Sequence, residues 1–290
     1  MTKNIKSITN PKLRLSILSN DDTTKIHTTT LDVIEKIGVR FPSPKALTLW
    51  ESFGANVDHQ TSIVKIPAYT IEAALKLPPP TYLLAARDTS QDLFLDGNHV
   101  YVGTDGCGVE ILDIQDNRRR TTCLNDVRDI AKVGDALEEV AFHWVAVSAQ
   151  DKPPATRGLH ELLAVWENSS KHVQTESIYN EKEARASIAM GEVIAGSRSE
   201  LRKRPIFSMM QCTASPLGHD GGSLDAALIA AEAGVPVGFM TMASCLTTGP
   251  ATMAGTLVVG NAEVISAIAL IQLAFPGAPV FYAAAQTASD

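Results

Sequence analysis

The sequence predicts an α/β protein of the (β/α)8 TIM-barrel type, with about six barrel strands in this chain and an N-terminal α+β extension. From residue 99 onward, short apolar runs alternate with helix-like segments, and successive strands start about 30 to 40 residues apart. The run at 235–242 is almost continuously apolar, as in a parallel strand covered on both faces. No GxGxxG sequence follows the first strand, which favours a barrel over a doubly wound sheet.

The stretch from Glu232 to Glu263 shows the repeating unit most clearly, and no charged residue lies between these two glutamates. Gly234 ends a helix, the apolar strand follows, and a new helix is predicted to start at 247–250. Thr248 or Gly249 is the expected N-cap, with a proline in the first turn, where its missing N–H costs nothing. The stretch is therefore predicted to form half of a βα unit.

The other elements follow from the same patterns. Predicted strands of the barrel are 99–104, 140–148, 171–176, 206–211, 235–242 and 280–285, and predicted helices are 125–138, 159–169, 182–196, 223–233 and one from 247. Eight strands would need roughly 60 to 100 further residues. We therefore expect this chain to be a fragment of a longer protein.

The first 97 residues are predicted to form the N-terminal extension, and residues 98–290 the partial barrel. Little structure is expected in residues 1–22. Helices are predicted at about 23–38, 43–54 and 68–77, and strands at 61–67, 82–87 and 92–95.

The amino-acid composition argues against several classes of function. The chain is 45% hydrophobic and 20% charged, with a formal net charge of −7, which argues against a nucleic-acid partner. The cluster Arg118-Arg119-Arg120 is predicted to be a solvated turn. Four cysteines without a CxxC pair suit a reducing, cytoplasmic location. The uncharged run 264–289 is interrupted by Pro276-Gly277, so we expect a helix and a strand there and no membrane span.

In a barrel, the active site lies at the carboxyl ends of the strands. The side chains there are mostly neutral hydrogen-bonding groups and aromatic rings: Thr104, Asp105, His143, Trp144, Ser148, Gln174, Thr175, Met210, Gln211, Thr241, Ser244, Tyr282 and Gln286. No pair of carboxylates, Ser/His/Asp set or glycine-rich phosphate loop is found among them.

Several candidate site residues can be explained by a structural role alone. His143 lies in an apolar strand, where a buried, non-catalytic histidine is the commoner case. His160-Glu161 begins like HExxH but lacks the second histidine, so a zinc site is not expected. Cys212 and His219 have no defined catalytic spacing. Asp105 can cap its own turn as readily as bind a ligand.

Several segments, in this order and spacing, resemble the trimethylamine methyltransferase family, which includes glycine betaine methyltransferases. They are LDVIEKIGVRFPSPKAL, FGANVD, VKIPAYTIEAALKLPP, AARD, RRRTTCLNDVRDIAKVGDAL, CTASPL, AGVPV, TTGPATMAG, AEVISAIALIQ and PGAPVFY. The similarity covers nearly the whole chain from about residue 31. Family members often have TAPVTLAG where this chain has TTGPATMAG, a local departure.

The resemblance implies a (β/α)8 barrel that transfers a methyl group from a methylamine or quaternary amine to cobalt(I) of a corrinoid. It also implies that a separate small protein carries the corrinoid, with none tightly bound to this chain. Family members are longer, which implies that this chain is truncated at its C-terminus. The pyrrolysine of trimethylamine enzymes falls in the part beyond it.

Quaternary ammonium groups are held by aromatic faces and a counter-charge. We therefore expect Trp144 and Tyr282 to wall the substrate pocket and Asp105 to supply negative charge. The polar side chains of Gln174, Gln211 and Thr241 are expected to orient the substrate.

Two other hypotheses about the function remain open. A truncated, inactive barrel paralogue would bind a small amine or a partner protein, and its open strand edges would favour self-association. A barrel lyase or aldolase would need a Schiff-base lysine at a strand end, and the nearest one, Lys171, lies at the opposite end of its strand.

Overall fold

A computed structural model describes residues 5–9, 11 and 16–288. Within this part, the helices are α1 (Asn20–Lys36), α2 (Pro44–Ser52), α3 (Ala68–Ala74), α4 (Leu124–Ala136), α5 (Arg157–Asn168), α6 (Glu181–Ala195), α7 (Arg198–Lys203), α8 (Gly221–Ala233) and α9 (Met253–Ala274). The strands are β1 (Ile8–Thr9), β2 (Val39–Arg40), β3 (Asn56–Asp58), β4 (Ile63–Lys65), β5 (Tyr82–Leu84), β6 (Leu93–Leu95), β7 (His99–Val100), β8 (Val102–Gly103), β9 (Glu110–Leu112), β10 (Arg119–Thr121), β11 (Val140–Trp144), β12 (His172–Thr175), β13 (Phe207–Cys212), β14 (Val237–Thr241), β15 (Ser244–Cys245), β16 (Val280–Ala284) and β17 (Thr287–Ala288).

These elements belong to two compact units. Unit 1 comprises residues 1–12, 80–209 and 233–236, and unit 2 comprises residues 13–79, 210–232 and 237–290. Both units interleave helices with strands, so the protein has a mixed α/β fold. The predicted division at residue 97 stays a prediction.

Unit 1 contains parallel strands in the order β8, β11, β12 and β13. Helix α4 precedes β11, α5 joins β11 to β12, and α6 and α7 join β12 to β13. Every residue of β12 is buried, as expected for a parallel strand covered on both faces. The strand and helix predictions for residues 125–211 are therefore confirmed, with ends shifted by a few residues. The predicted strand 99–104 was wrong in part: it is divided into β7, which pairs antiparallel with β1, and β8, which joins the parallel sheet.

The arginine cluster was predicted to be a solvated turn, and this was wrong in part. The cluster is exposed, but Arg119–Thr121 forms a strand that pairs with β9 as an antiparallel hairpin. Arg120 also forms a two-pronged ion pair with Asp126, at 2.7 Å for each of its two bonds. The turn lies earlier, at residues 114–116, and the pairing of the cluster with β9 is not visible in local composition.

Unit 2 is built around α9, against which α1, α2, α3 and β14 pack. Strands β14 and β16 pair in parallel over five residues, from Val237 opposite Val280 to Thr241 opposite Ala284. Strands β2, β4 and β3 form a separate antiparallel sheet. The predicted elements at 23–77 and 223–285 are thus present. Part of the stretch 1–22, where little structure was predicted, lies outside the described residues.

Helix α1 begins at Asn20, three residues earlier than predicted, because Ser19 and Asp22 form a capping box. Helix α9 begins later than predicted. Its N-cap is Thr252, whose Oγ1 accepts from Gly255 N at 3.2 Å, so neither Thr248 nor Gly249 caps the helix. Thr248 instead accepts a hydrogen bond from Ser244 N, which holds the preceding loop outside the helix.

Helix α9 is the one helix in the described part of the chain that is long and apolar enough to cross a membrane. In this structure, 78% of its most apolar 18-residue window is buried inside the protein. A helix that is apolar on all sides is expected when it lies in a core. The predicted break at Pro276-Gly277 is confirmed, because α9 ends at Ala274 and β16 starts at Val280.

Candidate active site

In unit 1, three strand ends lie side by side. Trp144, the last residue of β11, is in register with Gln174 of β12. Thr104, just beyond β8, donates its Oγ1 hydrogen to the Trp144 carbonyl oxygen at 2.5 Å. Because the strands are parallel, their carboxyl ends share one edge of the sheet, where ligands bind in α/β folds. Three of the predicted substrate residues, Asp105, Trp144 and Gln174, are therefore at this edge.

Trp144 is half-buried, and no described residue accepts a hydrogen bond from its indole N–H. Gly106 lies directly against this indole, and a Cβ at position 106 would overlap the ring. Only glycine permits such a close approach of backbone to ring. Asp105 is exposed and accepts from Gly106 N at 2.9 Å, so it does cap its own turn. The Gln174 side chain is buried.

The residue directly after β12 is Glu176, which is only 8% exposed. Burial raises the pKa of Glu176, and the neighbouring Cys107 thiol partly opposes that rise in pKa. Asp105 and Glu161 are close enough to raise the pKa of Glu176 further by charge repulsion. The strand ends of unit 1 therefore form an acidic site beside an aromatic ring.

Cys107 is held in an unusual backbone conformation, with φ at 64°. Non-glycine residues in this left-handed region cost energy and often occur at functional sites. Burial and the neighbouring Glu176 raise the pKa of the Cys107 thiol well above its usual range. A thiol whose pKa is raised in this way stays protonated and is a weak nucleophile.

Glu161, on α5, is completely buried. One carboxylate oxygen accepts from Ala149 N at 2.7 Å and from Ser148 Oγ at 3.1 Å. The other oxygen, Oε2, is buried and has no donor among the described residues. A buried carboxylate oxygen without a donor is costly, and it marks a place where a cationic or hydrogen-bonding ligand would be favoured.

A cavity of about 320 Å³ lies nearby, and Ser148, whose hydroxyl donates to Glu161, is part of its wall. Its walls include Cys107, Ser148, Arg157, Ser177 and Tyr179. This volume lies within the usual range of small-molecule sites. Cys107 lies both in the cavity wall and against Glu176, so the cavity adjoins the acidic site.

In unit 2, the predicted residues Gln211, Thr241 and Tyr282 lie on β13, β14 and β16. Gln211 and Thr241 are buried, while Tyr282 is 48% exposed. Thr241 is occupied by a structural contact, because its hydroxyl donates to Glu263 at 3.1 Å. Of the three side chains, only that of Tyr282 is widely open to solvent.

Glu263, on α9, is fully buried and collects four hydrogen bonds within unit 2. Besides Thr241, its donors are Thr213 Oγ1 at 2.6 Å, Ser215 Oγ at 2.8 Å and Leu217 N at 2.8 Å. Hydrogen bonds to a charged group are stronger than neutral ones, and together they offset the loss of hydration. Glu263 therefore fixes the 213–217 loop against α9.

His143 and His219, the two histidines considered as candidate site residues, have structural roles. His143 is buried and lies against Gly134 of α4. Burial and the nearby Lys171 lower its pKa to about 4. His219 is buried between Phe41 and Phe239, whereas Cys212 is exposed, so the two do not form a catalytic pair.

Lys171 is also structural. It is buried, and its Nζ donates to the carbonyl oxygens of Gly134, Leu137 and Val140 at 2.8, 2.6 and 2.5 Å. An ammonium group with three acceptors has no free lone pair for a Schiff base. This arrangement gives no support to the lyase or aldolase reading.

Sequence reasoning missed Glu161, Glu176, Cys107, Arg157 and Glu263. Two signals were available. Glu176 is the last residue of a predicted strand, and Glu263 is a lone charge at the end of a long uncharged stretch. The importance of Glu161 and Arg157 depends on how α5 packs, which periodicity does not reveal. No three or more His, Cys, Asp or Glu residues of the described chain are grouped so as to hold a metal.

A family model described as "Trimethylamine methyltransferase (MTTB)" matches residues 1–290. The chain belongs to this family. The trimethylamine methyltransferase MttB of Desulfitobacterium hafniense (strain DCB-2) is 35% identical over 276 residues, which is 95% of this chain and 55% of the relative. The glycine betaine methyltransferase of D. hafniense (strain Y51) is 30% identical over 278 residues, or 96% and 57% of the two chains.

MttB2 of Methanosarcina mazei is 34% identical over 282 residues, covering 96% of this chain and 57% of the relative. The chain thus spans a little over half the length of these trimethylamine methyltransferase family members. A solved structure, "Crystal structure of the hydroxylamine MtmB complex", matches with a TM-score of 0.50 and 13% identity, over 93% of this chain and 60% of that one. At this identity the likeness concerns the fold alone.

Proposed function

We propose that the protein removes a methyl group from a small methylated amine, of the trimethylamine or glycine betaine type, and passes it to the cobalt of a corrinoid carried by a separate protein. The observation that carries this proposal is the family match over residues 1–290. Relatives named for trimethylamine and for glycine betaine both align with nearly the whole chain. A complete (β/α)8 barrel in the full-length protein is part of the same proposal.

The acidic site of unit 1 has the chemistry that such a substrate needs. A quaternary nitrogen has no hydrogen to donate and no lone pair, so it is bound by aromatic faces and negative charge. Trp144 offers the ring, while Asp105 and Glu176 offer carboxyl groups nearby. Gln174 lies at the same edge and would orient polar parts of the substrate.

In the proposed transfer, the carbon–nitrogen bond of the substrate breaks and nitrogen keeps both electrons. The acceptor cobalt(I) supplies the electron pair of the new cobalt–carbon bond, so no other oxidant or reductant is needed. A quaternary ammonium then leaves as a neutral tertiary amine. The protein's part is to hold the methyl group in line and to exclude water, which is worth several orders of magnitude in rate.

Unit 2 supplies the other residues of the proposal. Tyr282 is its open aromatic side chain at a strand end and stays a proposed substrate contact. Gln211 and Thr241 remain proposed contacts for polar parts of the substrate. The hydroxyl of Thr241 has Glu263 as its acceptor, so it would contact a ligand through its methyl group or its remaining lone pair.

The proposal is tested by incubating the purified chain with cob(I)alamin and, in turn, trimethylamine, glycine betaine and other N-methyl compounds. Methylcobalamin formation is followed by its visible spectrum. Trp144→Leu should weaken amine binding by roughly three- to thirty-fold, the range of one cation–π contact. Trp144→Phe keeps a ring and should lose less.

Unchanged affinity in Trp144→Leu would remove this residue from the site. Binding of an amine by a folded chain without methyl transfer would favour the inactive, amine-binding paralogue. Neither binding nor transfer with any methylated amine would refute the proposed function.

A further inference from the structure

The cavity of unit 1 carries a positive charge that the proposed methyl transfer does not use. Arg157 is the only charged residue among the described residues that line this cavity of about 320 Å³. The Nε of Arg157 is buried and has no hydrogen-bond acceptor among the described residues. Its Nη2 has one long contact, with the Lys152 carbonyl oxygen at 3.5 Å. Buried guanidinium groups normally have an acceptor for each N–H, so this one is incompletely satisfied.

The start of α5 holds Arg157 in the cavity wall. Arg157 is the first residue of α5, and the N-cap residue Thr156 makes no side-chain hydrogen bond to the helix. The next residue, Gly158, lies directly against the Ser177 carbonyl oxygen, where a Cβ would overlap the backbone. Gly158 and Ser177 both line the cavity, so this close contact fixes the first turn of α5 at its wall. The N-terminus of a helix carries a partial positive charge, which adds to that of the guanidinium.

The rest of the wall suits a small ligand that is polar at one end. Gln150 and Ser177 provide amide and hydroxyl groups, while Val109 and Pro154 provide apolar surface. A cavity of this volume is large enough for a ligand of several non-hydrogen atoms. The single guanidinium balances one negative charge, whereas a dianion would bring a second charge to a wall that has no other cation among its described residues. The wall therefore matches a singly charged oxyanion with a short apolar part.

We propose that this cavity binds a small monocarboxylate through the guanidinium of Arg157, as a second ligand in addition to the amine substrate. A carboxylate presents two oxygens in one plane, which match two parallel N–H groups of a guanidinium. The short hydrocarbon part of the ligand would pack against Val109 and Pro154. Because this ligand is separate from the amine, its binding does not depend on the proposed methyl transfer.

Calorimetric binding to the whole chain tests the proposal with two probes of the same shape. Butanoate carries the carboxylate, and butanamide replaces it with an uncharged amide. We expect butanoate to bind at least about tenfold more tightly than butanamide. Arg157→Gln should weaken butanoate binding by roughly ten- to a hundred-fold and change butanamide binding by less than about twofold. Inorganic phosphate at about pH 8, where it is mostly a dianion, should bind more weakly than butanoate.

Two further variants complete the test. Arg157→Lys keeps the charge but not the planar pair of donors, and should retain part of the preference for butanoate over butanamide. Arg128→Gln is the matched control, because Arg128 pairs with Glu167 at 4.0 Å and is not among the described residues that line the cavity. It should leave the affinities for both probes unchanged.

The unchanged protein already decides the matter if a variant does not fold. Equal affinity for butanoate and butanamide, or tighter binding of phosphate than of butanoate, would overturn the proposal. A folded Arg157→Gln that binds butanoate as tightly as the unchanged protein would also overturn it. Glu161 lies one turn further along α5. If butanoate binds only after Glu161→Gln, Arg157 has Glu161 as its partner in solution and the cavity is not a carboxylate site.

Discussion

Glu263 offers the sharpest test of the packing in unit 2. Replacing it with glutamine keeps the shape of the side chain and removes its charge. The amide oxygen can still accept from Leu217 N, but the amide NH2 then faces the hydroxyls of Thr213, Ser215 and Thr241. Three charge-assisted hydrogen bonds are therefore lost or reversed.

The magnitude follows from these bonds. A hydrogen bond to a charged group contributes about 1.5–3 kcal/mol, against about 0.5–1.5 kcal/mol for a neutral pair, so three exchanges would cost about 3 kcal/mol. Removing a buried charge also removes its desolvation penalty, which offsets part of this cost. We expect Glu263→Gln to lower the free energy of unfolding by about 2 kcal/mol.

Urea unfolding followed by circular dichroism measures this change as a shift in midpoint at constant slope. Glu72→Gln is the control, because Glu72 is exposed on α3 in the same unit, and it should change stability by less than about 0.5 kcal/mol. If Glu263→Gln is as stable as the unchanged protein, the idea that this carboxylate holds the 213–217 loop in place is refuted.

Three further predictions concern unit 1. Burial lowers the pKa of His143 from 6.5 to about 4, so the unfolded chain takes up the proton first. As the pH falls from about 6.5 to 4, this residue should lower the free energy of unfolding by at most ~1.4 kcal/mol per pH unit. His143→Gln should reduce this pH dependence, measured by urea unfolding at several pH values. Lys171→Met removes a nearby positive charge, so NMR titration should show a higher pKa for His143; an unchanged value would contradict this. The Arg120 guanidinium lowers the pKa of Asp126, so its stabilising effect is present above about pH 4 and is lost on further acidification. Asp126→Asn should lose that acid dependence in thermal unfolding, unlike the exposed Asp129→Asn.

The candidate site could be predicted only in part. Trp144 and Gln174 were found because they lie in the carboxyl-terminal parts of predicted strands, and parallel strands bring their ends to one edge. Whether they contact a substrate stays a prediction. Glu176 was missed although it is only two residues beyond Gln174 and ends the same predicted strand. Its importance comes from burial, which raises its pKa and cannot be read from local sequence.

Arg157 and Glu161 show a different limit. Each looks like an ordinary charged residue at the start of a helix, where most charges face water. Which of them becomes buried without a partner depends on side chains that come from other segments, such as Ser148 and Ser177. Such combinations bring together residues that are distant in the chain, and no periodic pattern records them.

The sequence by itself determined the order and type of the elements, because hydrophobic periodicity, glycine stops and capping residues act over a few neighbouring residues. It also determined family membership through its motifs. Tertiary structure alone decided which charges are buried. It placed Glu263 among four donors. Among the described residues it left Arg157 Nε without an acceptor and Glu161 Oε2 without a donor. The reason is that the energy of a charge depends on its three-dimensional surroundings, through loss of hydration and through hydrogen bonds from distant parts of the chain.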